Sequence, residues 1–209
     1  MTLLYIVRHG ETDWNKAGRY QGQTDIDLNE EGRRQSAAVG RRMAAVPLDA
    51  VYASDLVRAR ETAQALAGGR PVAVDPRLRE VHAGRCQGLL HTEICLQEPD
   101  FWAAAQKDPD NTPFPDGESA VQLQQRAMAC LEAIAARHEG GRVAVVTHGG
   151  VIKTIVAAVL GAPLAIRPRF SLENCSVTVV ERGANGWRLK SLNETAHLEQ
   201  APAEVLADF

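Results

Sequence analysis

The chain has no basic excess. Its 23 lysines and arginines are outnumbered by 26 acidic residues, giving a formal net charge of −3. Nothing global therefore draws it to nucleic acid or to an acidic membrane, and neither partner is expected; an anion must be held by a local cluster. Cysteine is sparse and dispersed. Cys86, Cys95, Cys130 and Cys175 form no C-x-x-C pair and no close cluster with histidine, so neither zinc nor another metal or cofactor is expected. Reduced thiols in a cytoplasmic protein are the expected state. No run can span a bilayer: the longest apolar stretch, Val151 to Ile166, contains Lys153, Gly161 and Pro163. Leu3 to Val7 is too short for a secretory leader and ends in Arg8-His9. Repeats, low-complexity tracts, linkers, the P-loop and G-x-G-x-x-G are all missing.

What is present is an ordinary globular composition, 45% apolar and 23% charged over 209 residues, enough to bury a substantial core. Leu3 to Val7 is a continuous apolar run of strand length, as for a strand covered on both faces. Asn29 is placed to cap a helix to about Ala45, weakened by Gly32 and Gly40. Ala50 to Ala53 reads as a strand, and Asp55 as the cap of a helix from Leu56 to Leu66 that stops at Gly68-Gly69. Pro71 to Val74 is a third strand. Over residues 86–117 four prolines break any period, which predicts a variable lid or substrate loop with a short helix around Asp100 to Ala105. Ala120, Leu123, Ala127, Leu131, Ile134 and His138 then make one helical stripe. Arg142 to Thr147 is another buried strand and Gly150 to Leu160 another helix. Ser176 to Glu181 and Trp187 to Leu192 flank Gly183-Ala184-Asn185-Gly186, a hairpin signal. The alternation predicts one α/β domain over 1–209, with a largely parallel sheet and an antiparallel edge.

Two strands end alike. Leu3 to Val7 leads into Arg8-His9-Gly10-Glu11-Thr12, and Val143 to Val146 into Thr147-His148-Gly149-Gly150. Carboxyl ends of strands are where open α/β sheets bind ligands, and the helix opening at Gly150 offers free N–H groups to an anion. Arg58, in the first turn of the helix after Ala50 to Ala53, can reach back over those ends. Arg8, His9, Arg58 and His148 would make a cationic pocket in an acidic protein, with arginine forks that match phosphate oxygens. Two histidines without convergent carboxylates make a poor metal site but a capable phosphoryl acceptor. An acid must still protonate the leaving oxygen. Glu80 is one candidate, and spacing alone does not select it. His82 is open to either a pocket or a rim position.

These motifs closely resemble the histidine phosphatase superfamily, also called phosphoglycerate-mutase-like. The resemblance rests on Arg8-His9-Gly10-Glu11-Thr12 with Trp14-Asn15, Gln21-Gly22, Ser54-Asp55-Leu56-x-Arg58-Ala59-x-Glu61-Thr62, Leu78-Arg79-Glu80, Gly117-Glu118-Ser119 and Thr147-His148-Gly149-Gly150. It implies a three-layer α/β/α sandwich and two-step transfer through a phosphohistidine on His9. It further implies Glu80 as general acid and base, and Arg8, Arg58 and His148 around the phosphoryl oxygens. Asn15, Gln21, Gly22 and Gly149 are implied as substrate-binding. The nucleophile needs one bare nitrogen, so the other is expected to donate to a backbone carbonyl.

The expected function is metal-independent hydrolysis of small-molecule phosphate esters. The alternatives are a cofactor-dependent phosphoglycerate mutase and a non-catalytic module that binds a phosphorylated ligand. Gly117-Glu118-Ser119 looks phosphatase-like, whereas Gln87-Gly88, where many phosphatases have Glu-Gly, is shared with mutases and glucosyl-3-phosphoglycerate phosphatases. Oligomeric state stays open, a homodimer being one option.

Overall fold

β1 (Thr2–Arg8) is an apolar run whose alternate side chains face opposite sides of a sheet. In the computed structural model, which describes residues 1–199, it pairs into a six-stranded sheet. The other strands are β2 (Ala50–Ala53), β3 (Val72–Val74), β4 (Arg142–Thr147), β5 (Val177–Gly183) and β6 (Gly186–Glu194). Their spatial order is β3-β2-β4-β1-β5-β6. The first four are mutually parallel, and the β5–β6 hairpin adds the antiparallel edge expected from sequence. Residues 200–209 of the expected 1–209 domain lie outside the described residues.

Helices cover both faces because the strands are apolar on both. Val143 and Val145 of β4 cluster with Leu123, Leu131 and Ile134 of α6 (Ala120–Arg137) and with Ile152 and Ile155 of α7 (Gly149–Val159). Ala144 and Val146, pointing the other way, cluster with Val39 and Met43 of α2 (Glu30–Ala44) and with Ala59, Ala63 and Leu66 of α3 (Val57–Ala67). This is the three-layer α/β/α sandwich. A short α1 (Asp13–Lys16) precedes α2. No helix of the described residues is long and apolar enough to cross a membrane.

Three local features depart from the sequence reading. Gly32 and Gly40, which weaken α2 by propensity, are sites of close backbone approach. A Cβ on Gly32 would lie 2.1 Å from the Glu11 carbonyl oxygen, and one on Gly40 2.4 Å from that of Ala65. Second, Asp55 does not cap α3. Its carboxylate pairs with Arg79 at 2.7 and 2.6 Å, while Asp25 Oδ1, from a loop thirty-two positions back, accepts from Val57 N at 2.7 Å. A cap recruited from so far along the chain has no local signature. Third, the 86–117 segment holds two helices, α4 (His91–Gln97) as well as α5 (Pro99–Lys107), the latter containing the expected short helix. α4 buries only Ile94, too little to leave a period in the sequence.

Asp25→Ala is expected to lower stability by about 1 kcal/mol in urea unfolding at constant m-value, the usual loss of an N-cap acceptor. Asp25→Asn, which keeps an acceptor, should recover most of it. An unchanged midpoint for the alanine variant would rule out the long-range cap.

Candidate active site

β1 and β4 run parallel with Arg8 opposite Thr147, so His9 and His148 leave adjacent strands at the same end. The His9 backbone N–H extends the ladder to the Thr147 carbonyl at 2.9 Å, and the Asn174 side chain donates to the His9 carbonyl at 2.9 Å. The two imidazoles, both buried, stand 5.1 Å apart between centroids at an interplanar angle of 59°. His9 Nδ1 lies 2.7 Å from the Gly10 carbonyl oxygen. A carbonyl only accepts, so Nδ1 carries the hydrogen and Nε2 keeps its lone pair. That is the pairing anticipated from sequence. Burial, then Arg58 and Arg8, hold the His9 pKa well below 6.5, outweighing the opposing effect of the Gly10 carbonyl. Burial and the neighbouring Arg58 do the same to His148, whose two ring nitrogens are both buried without a protein partner. Both rings are therefore neutral near pH 7.

Two arginines converge on them. Arg58, fully buried in the first turn of α3, donates from Nη1 to the Thr24 carbonyl at 2.7 Å and from Nη2 to that of Gly22 at 2.8 Å. Burial pushes its pKa down to about 10. Gly22 takes a left-handed φ of 51°, so it presents its carbonyl where a side chain would be strained. Arg8 Nη1 donates to the Leu172 carbonyl, and the Nε atoms of both arginines are buried without partners. No carboxylate forms an ion pair with either guanidinium among the described residues. Two cations held by backbone oxygens beside two neutral rings make a site for an anion.

Glu80 faces the same space. Its Oε1 accepts from Val81 N at 2.8 Å and its Oε2 from Gly150 N at 2.9 Å, at the start of α7. A Cβ on Gly150 would fall 2.4 Å from Oε1, so any other residue there would push this carboxylate from its seat on the helix end. Arg126 braces the segment from behind, donating to the carbonyls of Arg77, Arg79 and Glu80 at 2.8, 2.6 and 2.8 Å. Glu118 orients Arg126 through a 3.0 Å bond to Nε.

A cleft of about 540 Å³ joins these groups. Every expected site residue lines it, Arg8, His9, Asn15, Gln21, Gly22, Arg58, Glu80 and Gly149, except His148, which is buried beside the His9 ring. Asn15 Oδ1 accepts from Thr12 N at 3.1 Å, which fixes the side chain in a capping box at the rim. His82 does not line the cleft; its backbone N–H bonds Glu118 Oε1 at 2.8 Å. Sequence reasoning missed Lys153, which lines the cleft one helical turn beyond Gly149-Gly150, a spacing that could have revealed it. It missed Arg126 too, and no local pattern points to that residue. Among the described residues no group of three or more His, Cys, Asp or Glu is arranged to hold a metal ion.

A family model described as the histidine phosphatase superfamily (branch 1) matches residues 4–195. The chain belongs to that family. Among its relatives is a metal-independent phosphoserine phosphatase of Arabidopsis thaliana, 41% identical over 203 residues that cover 95% of this chain and 84% of the relative. A probable phosphoglycerate mutase, GpmB, of Erwinia tasmaniensis is 35% identical over 213 residues, covering 99% of both. Among solved structures, a mutant phosphoserine phosphatase of Entamoeba histolytica in complex with phosphoserine superposes with a TM-score of 0.87 at 30% identity, covering 95% of this chain and all of that one.

The buried imidazoles give a pH signature. Their folded pKa values lie below the unfolded value near 6.5, so below that pH the unfolded chain binds more protons and stability falls as pH drops. In ¹⁵N NMR, His9 should stay in the Nδ1–H form, and both rings should stay neutral, as pH falls through 6.5. Protonation of either ring at that pH would contradict the burial argument.

Proposed function

We propose that the protein is a metal-independent phosphatase that hydrolyses small-molecule phosphomonoesters through a phosphohistidine on His9. The observation that carries this reading is the neutral His9 ring, with Nδ1 tied to the Gly10 carbonyl and Nε2 bare, set between two arginines that lack carboxylate partners. His9 Nε2 attacks phosphorus while the bond from phosphorus to the ester oxygen breaks. Glu80, in its protonated form, gives its proton to the departing alkoxide. Arg8, Arg58 and His148 hold the equatorial oxygens as charge shifts, with help from Asn15, Gln21 and the Gly149 amide. In the second step Glu80 takes a proton from water, the water oxygen bonds to phosphorus, and the P–N bond breaks to release inorganic phosphate and restore His9. Gly22 contributes through its carbonyl on Arg58, which keeps that guanidinium aimed. The segment 86–117 serves as the substrate loop, and the unbridged cysteines fit a cytoplasmic setting.

A phosphatase relative 41% identical supports hydrolysis. The similarity to a probable phosphoglycerate mutase keeps transfer to a second alcohol as the alternative. ³¹P NMR of the EDTA-treated protein with phosphate esters separates them. Inorganic phosphate should accumulate with the wild type and not with His9→Ala. Primer-dependent interconversion of phosphoglycerates that outpaces phosphate release would make it a mutase, and strict dependence on added divalent metal would defeat the mechanism.

Glu80→Gln should slow alkyl esters by about 10²–10⁴-fold, the usual range for a general acid, and activated aryl esters far less. Equal losses on both would assign Glu80 a structural role. The acid limb of kcat/KM should lie below pH 6.5, because the free enzyme needs His9 neutral and burial keeps it so.

A further inference from the structure

A second cavity, of about 620 Å³, opens beside the phosphate cleft, with Tyr20, Val81 and Gly150 in the walls of both. Much of its lining is aromatic, and the one charged side chain in the wall, Arg167, is paired with Asp110 at 2.7 Å. Phe101 and Phe114 pack at 5.0 Å between ring centroids, and Trp102 of α5 stands edge-on against His91 at 4.6 Å. Nothing in the phosphoryl-transfer scheme above uses this space.

The chemistry fixes which side of the cleft it serves. In-line transfer to His9 puts the leaving oxygen opposite Nε2, within reach of the group that protonates it. That group is Glu80, and its two oxygens are held by the backbone N–H groups of Val81 and Gly150. Those two residues are also the shared wall. A leaving group that departs past Glu80 therefore enters the second cavity. Its volume falls within the range of small-molecule pockets, and its aromatic lining suits a flat apolar body. A serine-sized alcohol would leave it empty.

We infer that the preferred esters carry an aromatic or bulky apolar alcohol, whose body is bound in the cavity walled by Phe101, Trp102 and Phe114. This inference rests on the phosphatase reading and adds the leaving-group class to it.

The test compares ethyl, benzyl and naphthylmethyl phosphates, primary-alcohol esters of similar leaving ability, together with phosphoserine. The expected result is kcat/KM rising at least tenfold from ethyl to benzyl and again to the naphthylmethyl ester, chiefly through KM. Ala105→Trp, which fills the cavity from α5, should cut the naphthylmethyl-to-ethyl ratio at least tenfold. Trp102→Ala should lower the benzyl-to-ethyl ratio as well. A flat series overturns the inference, as does an Ala105→Trp loss that is equal for all esters. So does a preference for phosphoserine over benzyl phosphate, which would point to Lys153 reading a charged leaving group instead. Calorimetric binding of ethyl and benzyl phosphates to His9→Ala reads the cavity without turnover. Equal affinities there would reject it even if no ester is hydrolysed, whereas tighter benzyl binding without hydrolysis by the wild type would sink the phosphatase reading alone.

Discussion

The parallel register of β1 against β4 is the constraint on which the site depends. With Arg8 opposite Thr147, the next residue on each strand is a histidine, and the two rings come to rest 5.1 Å apart. A slip of one residue would turn one imidazole to the opposite face of the sheet. The register is itself held by burial on both sides, since successive residues of β4 feed two different cores. The pressure to bury Val143 with Val145, and Ala144 with Val146, is what aligns the histidines.

Charge is the second requirement. A fully buried arginine is costly unless its donors are met, and Arg58 meets two of them with the carbonyls of Gly22 and Thr24. Oxygens of the main chain satisfy the guanidinium without neutralising it, so its charge remains available to an incoming anion. A carboxylate in their place would stabilise the empty protein and weaken its hold on phosphate. Burial, reinforced by the same cations, keeps the imidazoles neutral, so under the proposed mechanism one arrangement both attracts the substrate and prepares the acceptor.

Glu80, the proposed acid, illustrates how a side chain of the cleft is supported from outside it. The carboxylate sits on backbone N–H groups at the opening of α7, and the segment that carries it is gripped by Arg126 from α6. Because Val81 and Gly150 both hold the Glu80 carboxylate and wall the second cavity, the proposed acid and the proposed leaving-group path are positioned by the same residues. Residues of the 86–117 segment line the second cavity but not the phosphate cleft, so on the proposed reading they bear on the alcohol and not on the phosphoryl group.

Much of this was legible in the sequence. The apolar strands, the paired His-Gly turns, the helical stripe from Ala120 and the hairpin are local patterns, set by hydrophobic periodicity and backbone preference within a few residues. The segments around Arg8, Arg58 and His148 marked the candidate site for the same reason, each lying at a strand or helix end, whereas Glu80 was singled out only by the family resemblance. Other features needed the folded chain. Asp25 replaces Asp55 as the cap of α3, Gly32 and Gly40 serve close packing, and Arg126 grips the Glu80 segment, all through contacts between residues far apart in sequence. Burial of the rings and the wall that the two cavities share are likewise properties of the assembled layers. Sequence by itself determined which groups could react, because that depends on residue type and local backbone. Tertiary structure decided their protonation, their aim and the space beside them, because those depend on what long-range packing brings against each group.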